Sequence, residues 1–365
     1  MTTRRLQSAD ERVLAAACAA AVLFGRDDRI ALVATGADRR RFLHAMLSAH
    51  VAEVADNDVR RATLCDAQGR MTAVVELVHD ADRIVLWCDR RDSIALVDAL
   101  ERFVITDDVA FALDEELALV SVVGPRALVC VAALGMPAPD EGRSQPWHLA
   151  GEPTVTGQTW LRHVRGIDEG ARPWTLGSAA APFASGPTLE EVRFSLARSG
   201  VPALVEALCA VGAEIGCHSA WDALRILAGE PILALDIADG STPLEAGLRD
   251  AVAFDKGCYL GQEAIVMMAH RGQLRRHLCW VTPLAPGVLP AAGSELRDAM
   301  GKRAGTMGSG VLHADGSGRG LALVQRKRFA RGAVLSAGDE SDGASVCVLD
   351  TTIADAFSTL ADGGG

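Results

Sequence analysis

Lys256-Gly257-Cys258-Tyr259-Leu260-Gly261-Gln262-Glu263 differs from everything around it, since it holds the only Tyr of the chain beside a Cys and between two Gly. The residues that follow, 262–270, are expected to form a helix. Gly257 and Gly261 permit backbone angles closed to other residues and a close approach to a ligand. The helix start directs free N–H groups and a partial positive charge at the preceding loop. Cys258 sits in that field beside Lys256, and both stabilise a thiolate. Tyr259 offers a flat apolar face and one hydroxyl. Glu263 is a carboxylate in the first helical turn, suited to an amidine-like edge. The same string also reads as a Gly-rich turn with a buried Cys and a helix-capping Glu, and by itself it weighs the two equally.

Upstream, runs at 29–35, 61–65, 71–79 and 83–88 read as strands. The last three are separated by Asp66-Ala67-Gln68-Gly69 and Asp80-Ala81-Asp82, which are turn residues at hairpin spacing. Leu96, Val97, Leu100, Phe103 and Val104 share one face of a helix over 93–104, capped by Ser93. Strands at 109–113 and 117–123 follow, then a helix from Pro125 towards Gly135. Connections this short rule out parallel crossovers, so the sheets are expected to be mixed and antiparallel. The stretch 137–157 reads as an exposed loop, 159–165 as a strand and 177–188 as a linker. A helix fits 202–211. Another opens on a capping box at Ser219-Ala220-Trp221-Asp222 and stops at Gly229, with Pro231 beyond. After Arg276 the chain shows only short strand pieces broken by Gly: HLCWVT, GTMGSGVL, GLALVQ, AVLSA and SVCVL. That spacing predicts a small β-barrel. The last five residues read as a frayed end.

With 365 residues, 49% of them hydrophobic, the chain can build two or three domains with large cores. A net charge of −11 argues against non-specific binding to nucleic acid or anionic lipid. Nine Cys are scattered, without a C-x-x-C pair, which fits neither a disulfide framework nor a zinc site. No metal is expected, and reduced thiols point to the cytoplasm. The apolar segment 13–24 is too short to span a bilayer, and Asp10 and Glu11 before it have the wrong sign for an export signal. It reads as an Ala-rich helix docked on the first domain. Cys217-His218 reads as structural, 325–331 as a solvated barrel loop, and Met267 and Met268 as core.

The motif matches, at every defined position, the K-G-C-[FY]-x-G-Q-E signature of the YgfZ proteins, folate-binding relatives of the glycine cleavage T-protein (aminomethyltransferase). The resemblance extends outward. Arg225 to Pro231 resembles the R-I-x-x-G-x-P helix end, and Thr242 to Leu248 the T-P-x-E-x-x-L loop of the T-protein branch. Thr35 to Leu43, Asp66 to Arg70 and Gly124 to Ala127 resemble further family motifs. About 30–350 is covered. Two departures stand out. Leu227 occupies the position of the Glu that helps T-proteins hold the pterin, and His50 stands where the family has Asp.

The resemblance implies an α+β ring of three domains, two mixed α/β domains plus a C-terminal β-barrel. The division expected is 1–60 with 155–270 for the folate-binding domain, 61–154 for the second and 271–365 for the barrel. It implies tetrahydrofolate or a one-carbon derivative in a central channel, with Cys258 at that channel serving iron-sulfur protein assembly or repair. Iron-sulfur proteins would be the partners; no direct nucleic-acid or membrane contact is expected. The alternative it implies is folate-dependent aminomethyl transfer. The expected folate contacts are Glu245, Lys256, Gly257, Tyr259, Gly261, Gln262, Glu263 and Arg271.

Overall fold

A computed structural model describes residues 4–164, 189–271, 274–337 and 344–351. The expected linker at 177–188 and the frayed end at 361–365 lie outside the described residues. The first third runs β1 (Arg4–Arg5), α1 (Ser8–Ala19), β2 (Val22–Gly25), β3 (Arg29–Thr35), α2 (Arg39–Met46), β4 (Val59–Cys65), β5 (Met71–His79), β6 (Ile84–Asp89), α3 (Ser93–Glu101) and β7 (Ala110–Asp114). The middle runs β8 (Leu117–Val123), α4 (Ala127–Ala133), β9 (Ser144–Leu149), β10 (Glu152–Val164), β11 (Leu189–Ala197), α5 (Val201–Ala210), β12 (Glu214–Ile215), α6 (His218–Ala228) and α7 (Gln262–Arg271). The last part is all strand: β13 (Arg276–Pro283), β14 (Glu295–Arg297), β15 (Arg303–Leu312), β16 (Gly318–Gln325), β17 (Val334–Ala337) and β18 (Ser345–Thr351).

Three sheets result. The first has the antiparallel order β4-β5-β6-β3-β7, built from the hairpins that the turn residues set. Its core packs Leu32, Leu77 and Leu86 against Phe42 and Leu43 of α2 and Leu96 and Leu100 of α3. The second has the order β12-β2-β8-β11-β10-β9, antiparallel except for β12 on β2. It is covered by α4 and α5, with Trp147 edge-on to Phe194 at 5.5 Å. The two sheets meet through Trp87, Val85, Leu119 and Trp160. The third, β15-β14-β17-β18-β13-β16, closes on itself through β15–β16 into an antiparallel barrel, and β1 joins β15 in parallel. Leu14 of α1 and Leu224 and Leu227 of α6 pack in one cluster with Leu278 and Leu323 of the barrel. The α+β class with a C-terminal barrel is thus as the strand spacing predicts.

Several expectations need correction. The segment 13–24 is not one helix, since α1 stops at Ala19 and β2 begins at Val22, and Met267, expected in the core, is exposed. The stretch 137–157 is not a plain loop, because β9 and the start of β10 form a hairpin there that buries Trp147. The capping box of α6 does not form: its N-cap is Cys217, and Ser219 Oγ donates instead to Asp10 Oδ1 at 2.5 Å. The cuts at 60/61 and 154/155 fall inside β4 and β10, so the sheets do not follow them. Strand pairing joins β2 to β8 across the whole first sheet. Among the described residues, no helix is long and apolar enough to cross a membrane.

Candidate functional site

The motif is braced from behind by α2. Lys256, 6% exposed, donates to the carbonyls of His44 (2.6 Å), Leu47 (2.6 Å) and Ala49 (2.9 Å). An ammonium has three hydrogens, so this cradle at the negative end of a helix uses all of them. Burial draws the group down to about 8. Leu260 N–H donates to Ala45 O, and Gln262 Nε2 to Lys256 O. Asp255 pairs with His50 at 2.9 Å, a contact that gives the unexpected histidine a structural partner. Gly261 has φ +83°, and a Cβ there would lie 2.4 Å from Asp66 O. The Asp66–Gly69 turn therefore sits directly against the start of α7. Tyr259 is buried with Leu244 and Ile265, and burial pushes its phenol well above the usual range.

Cys258 and Glu263 are exposed. Gly257 is a different case from Gly261: its φ is not positive, and a Cβ there would meet no described atom within 4 Å. The chain's own packing does not require glycine at this position. Glu245 is 2% exposed and fully engaged: it accepts from Thr242 N (3.1 Å) and from Arg276 Nη2 (3.1 Å), tying its loop to β13. Arg271 is the last residue of α7, and its side chain lies outside the described residues.

The large cavity lies elsewhere. About 830 Å³ in volume, it is bounded by residues of all three sheets and of α6. Its apolar wall includes Val74, Trp221, Leu224, Ile232 and Leu235. Its polar wall is a buried ion network. Glu191, wholly buried, accepts from Ser121 Oγ (2.7 Å) and Arg193 Nε (2.8 Å), with Arg26 and Arg162 each 3.6 Å away. Burial alone would raise Glu191, but Arg193 and Arg162 overcome it and hold the carboxyl at about 2. Arg193 also pairs with Glu76, while Glu230 pairs with Arg61 (2.6 Å) and with Arg162. Arg26 is forked by Asp28 and lies over the Trp221 ring at 3.8 Å.

Asp92 stands apart from these pairs. It lines the cavity as the N-cap of α3 yet makes no capping hydrogen bond, and no described group donates to its carboxylate. Burial, then the neighbouring Asp89, raises its pKa. Such a carboxylate can hold or accept a proton, or accept a donor edge from a ligand. Arg4 and His218 are exposed where they line the cavity; Arg4 adds positive charge and His218 a ring N–H donor.

None of Glu245, Lys256, Gly257, Cys258, Tyr259, Gly261, Gln262 or Glu263 lines this cavity. The expected folate contacts and the cavity are therefore separate places. The motif residues point inward as braces or outward to solvent. The residues that sequence reading missed, Glu76, Glu191, Arg193 and Arg162, do carry a signal: charges set inside strand runs, where a solvated position would break the apolar pattern. Among the described residues no group of His, Cys, Asp and Glu could hold a metal.

The exposures predict which thiols react. Cys217 and Cys258 are exposed, whereas the other seven are buried or half-buried, and burial pushes Cys65 to about 12 and Cys88 to about 11. Brief treatment with a maleimide, mapped by mass spectrometry, is expected to modify Cys217 and Cys258 first. Slower modification of Cys258 than of Cys65 or Cys88 would contradict the placement of the motif.

No family model matches the chain. The chain is 27% identical over 298 residues to the tRNA-modifying protein YgfZ of Shigella boydii serotype 4 (strain Sb227), covering 80% of this chain and 81% of that protein. It is 26% identical over the same span to the tRNA-modifying protein YgfZ of Escherichia coli (strain SE11). Among solved structures it resembles the glycine cleavage system aminomethyltransferase T from Bartonella henselae, with a TM-score of 0.75, 20% identity, and 93% of this chain and 88% of that chain covered. The three-sheet arrangement is therefore the aminomethyltransferase fold. The YgfZ likeness runs through most of the chain's length, on a fold similar to that of the aminomethyltransferase.

Proposed function

We propose that this chain is a YgfZ-type protein that binds tetrahydrofolate or a one-carbon derivative in the cavity between its three sheets. In this reading it supports the assembly or repair of iron-sulfur proteins through the thiol of Cys258. The observation that carries the folate reading is the cavity itself, whose volume of about 830 Å³ falls in the range of small-molecule sites. Its chemistry fits the ligand. Trp221, Leu224 and Ile232 give an apolar wall for a flat ring, Asp92 is a carboxylate free to accept a guanidine-like edge, and Arg4 and His218 can meet an anionic tail. The Arg and Glu groups of the network are already paired, so they shape the wall and do not compete for the ligand. Cys258 would serve a partner protein from the outer surface, while folate binds inside. Nine scattered Cys without a C-x-x-C pair support a reducing compartment such as the cytoplasm.

Titration calorimetry with tetrahydrofolate tests the binding. Asp92→Asn is expected to weaken it tenfold or more, since a hydrogen bond to a charged group is worth about 1.5–3 kcal/mol. The absence of a heat signal on folded protein, with tetrahydrofolate and with its formyl and methylene forms, would refute the folate reading.

A second reading is aminomethyl transfer to tetrahydrofolate with release of ammonia. Asp92 favours it, as a carboxylate able to take a proton at the cavity wall; Leu227, in place of the T-protein Glu, stands against it. Ammonia release from an aminomethylated carrier protein separates the two.

A further inference from the structure

The end of α2 holds two stretches of chain by opposed sets of bonds: the Cys258 segment through Lys256, and residues 51–52 through the ring of His44. The carbonyls of His44, Leu47 and Ala49 accept from Lys256. The ring of His44 accepts at Nδ1 from the N–H groups of Val51 (3.2 Å) and Ala52 (3.2 Å). A ring nitrogen that accepts two N–H bonds carries its lone pair, so this arrangement requires a neutral imidazole protonated on Nε2. Val51 is fully buried, leaving its N–H without water as an alternative partner.

We propose that His44 is a proton-operated latch: neutral, it fastens residues 51–52 against the end of α2 on which the Cys258 loop rests, and protonated, it releases them. An imidazolium would present N–H to N–H at both contacts. The groups facing His44 are Lys256, His50 and Glu53. Burial lowers the pKa of His44, Lys256 and His50 lower it further, and Glu53 opposes them. The His50 ring lies 6.0 Å away and is itself tied to Asp255. The sign follows from linkage. With the folded value below that of a free imidazole, about 6.5, the released chain takes up the proton first. The latch is therefore whole above that pH and weakens as the pH falls. Ser48, whose Oγ donates to Ala251 O at 2.5 Å and whose carbonyl accepts from Ala253 N–H, does not titrate and keeps the opening local. The inference is independent of the folate reading and of any chemistry at Cys258.

Hydrogen exchange of the peptide spanning 48–53, corrected for intrinsic rates, tests it. Between about pH 7 and about pH 5, protection is expected to fall roughly tenfold in the natural protein, the worth of one to two hydrogen bonds. A peptide from β15 serves as an unchanged reference. His44→Asn keeps an acceptor near the position of Nδ1 without titrating, and is expected to hold protection at both pH values. His50→Asn is expected to keep the acid-induced loss. Unchanged protection in the natural protein overturns the latch, as does an equal loss in His44→Asn or an abolished loss in His50→Asn. Should His44→Asn fail to fold, judged by circular dichroism at neutral pH, the natural protein and His50→Asn still decide.

Discussion

Arg193→Met is expected to destabilise the protein by roughly 3–5 kcal/mol, because removing one partner of a buried ion pair strands the other. Arg193 is 5% exposed and joins two buried carboxylates, Glu191 on its own strand and Glu76 on β5 of the other sheet. In the variant Glu191 keeps Ser121 and only the longer contacts to Arg26 and Arg162. Glu76 keeps one hydrogen bond, from Trp160 Nε1 at 3.3 Å. Both carboxylates would then have to be buried as partly uncompensated charges or take up protons. Part of the lost stability should accordingly return below neutral pH, as the two carboxyls become protonated in the variant. Arg162→Met should cost less, since Arg162 is more exposed and Glu230 retains Arg61. Urea unfolding followed by tryptophan fluorescence measures the difference. An Arg193→Met midpoint within error of the natural protein would show that the network does not hold the two sheets together.

Gly261→Ala is expected to cost roughly 2–5 kcal/mol, the sum of a left-handed backbone for a residue with a Cβ and a steric clash. The clash is with backbone, at 2.4 Å from Asp66 O and 3.0 Å from Gly69 Cα, so no side chain can swing aside. Either α7 or the Asp66–Gly69 turn must move, and the Cys258 loop moves with it. Gly257→Ala is the matched control. With no positive φ and open space beside it, it should change stability by no more than about 0.5 kcal/mol. The two midpoints, measured side by side, give the answer. Equal effects would mean that the motif glycines are not distinguished by packing as described.

The elements read from the sequence are mostly where local pattern alone decides. The runs at 29–35, 71–79 and 117–123 match β3, β5 and β8 to the residue, and all five barrel pieces are strands. Alternation, turn residues and Gly stops are properties of neighbours in sequence, and they need no knowledge of the rest of the chain. The helix α6 ends at Gly229 in a left-handed conformation, φ 72°, as its composition implies. Elements whose stability comes from distant partners were not legible. Helix α2 is short, with three Arg at its start, and becomes plausible only once Phe42, Leu43 and Met46 have a sheet to cover. The β9–β10 hairpin shows the same dependence, since Trp147 finds its place against Phe194 nearly fifty residues on.

The candidate site divides along the same line. A helix start after a Gly-flanked Cys and a requirement for glycine at 261 were written in the motif, because both depend on backbone geometry within a few residues. The fate of its side chains was not. Lys256 stands beside Cys258 in sequence, but its ammonium is consumed by carbonyls as much as 212 residues away. Likewise Glu245 closes on Arg276 of the barrel. The cavity draws its walls from strands of three sheets, and register determines which charges meet there. Local pattern thus determined the elements, the barrel and the motif's backbone. Tertiary structure alone decided which way the motif faces, because a buried charge is placed by whichever partner can neutralise it, and here those partners lie far along the chain.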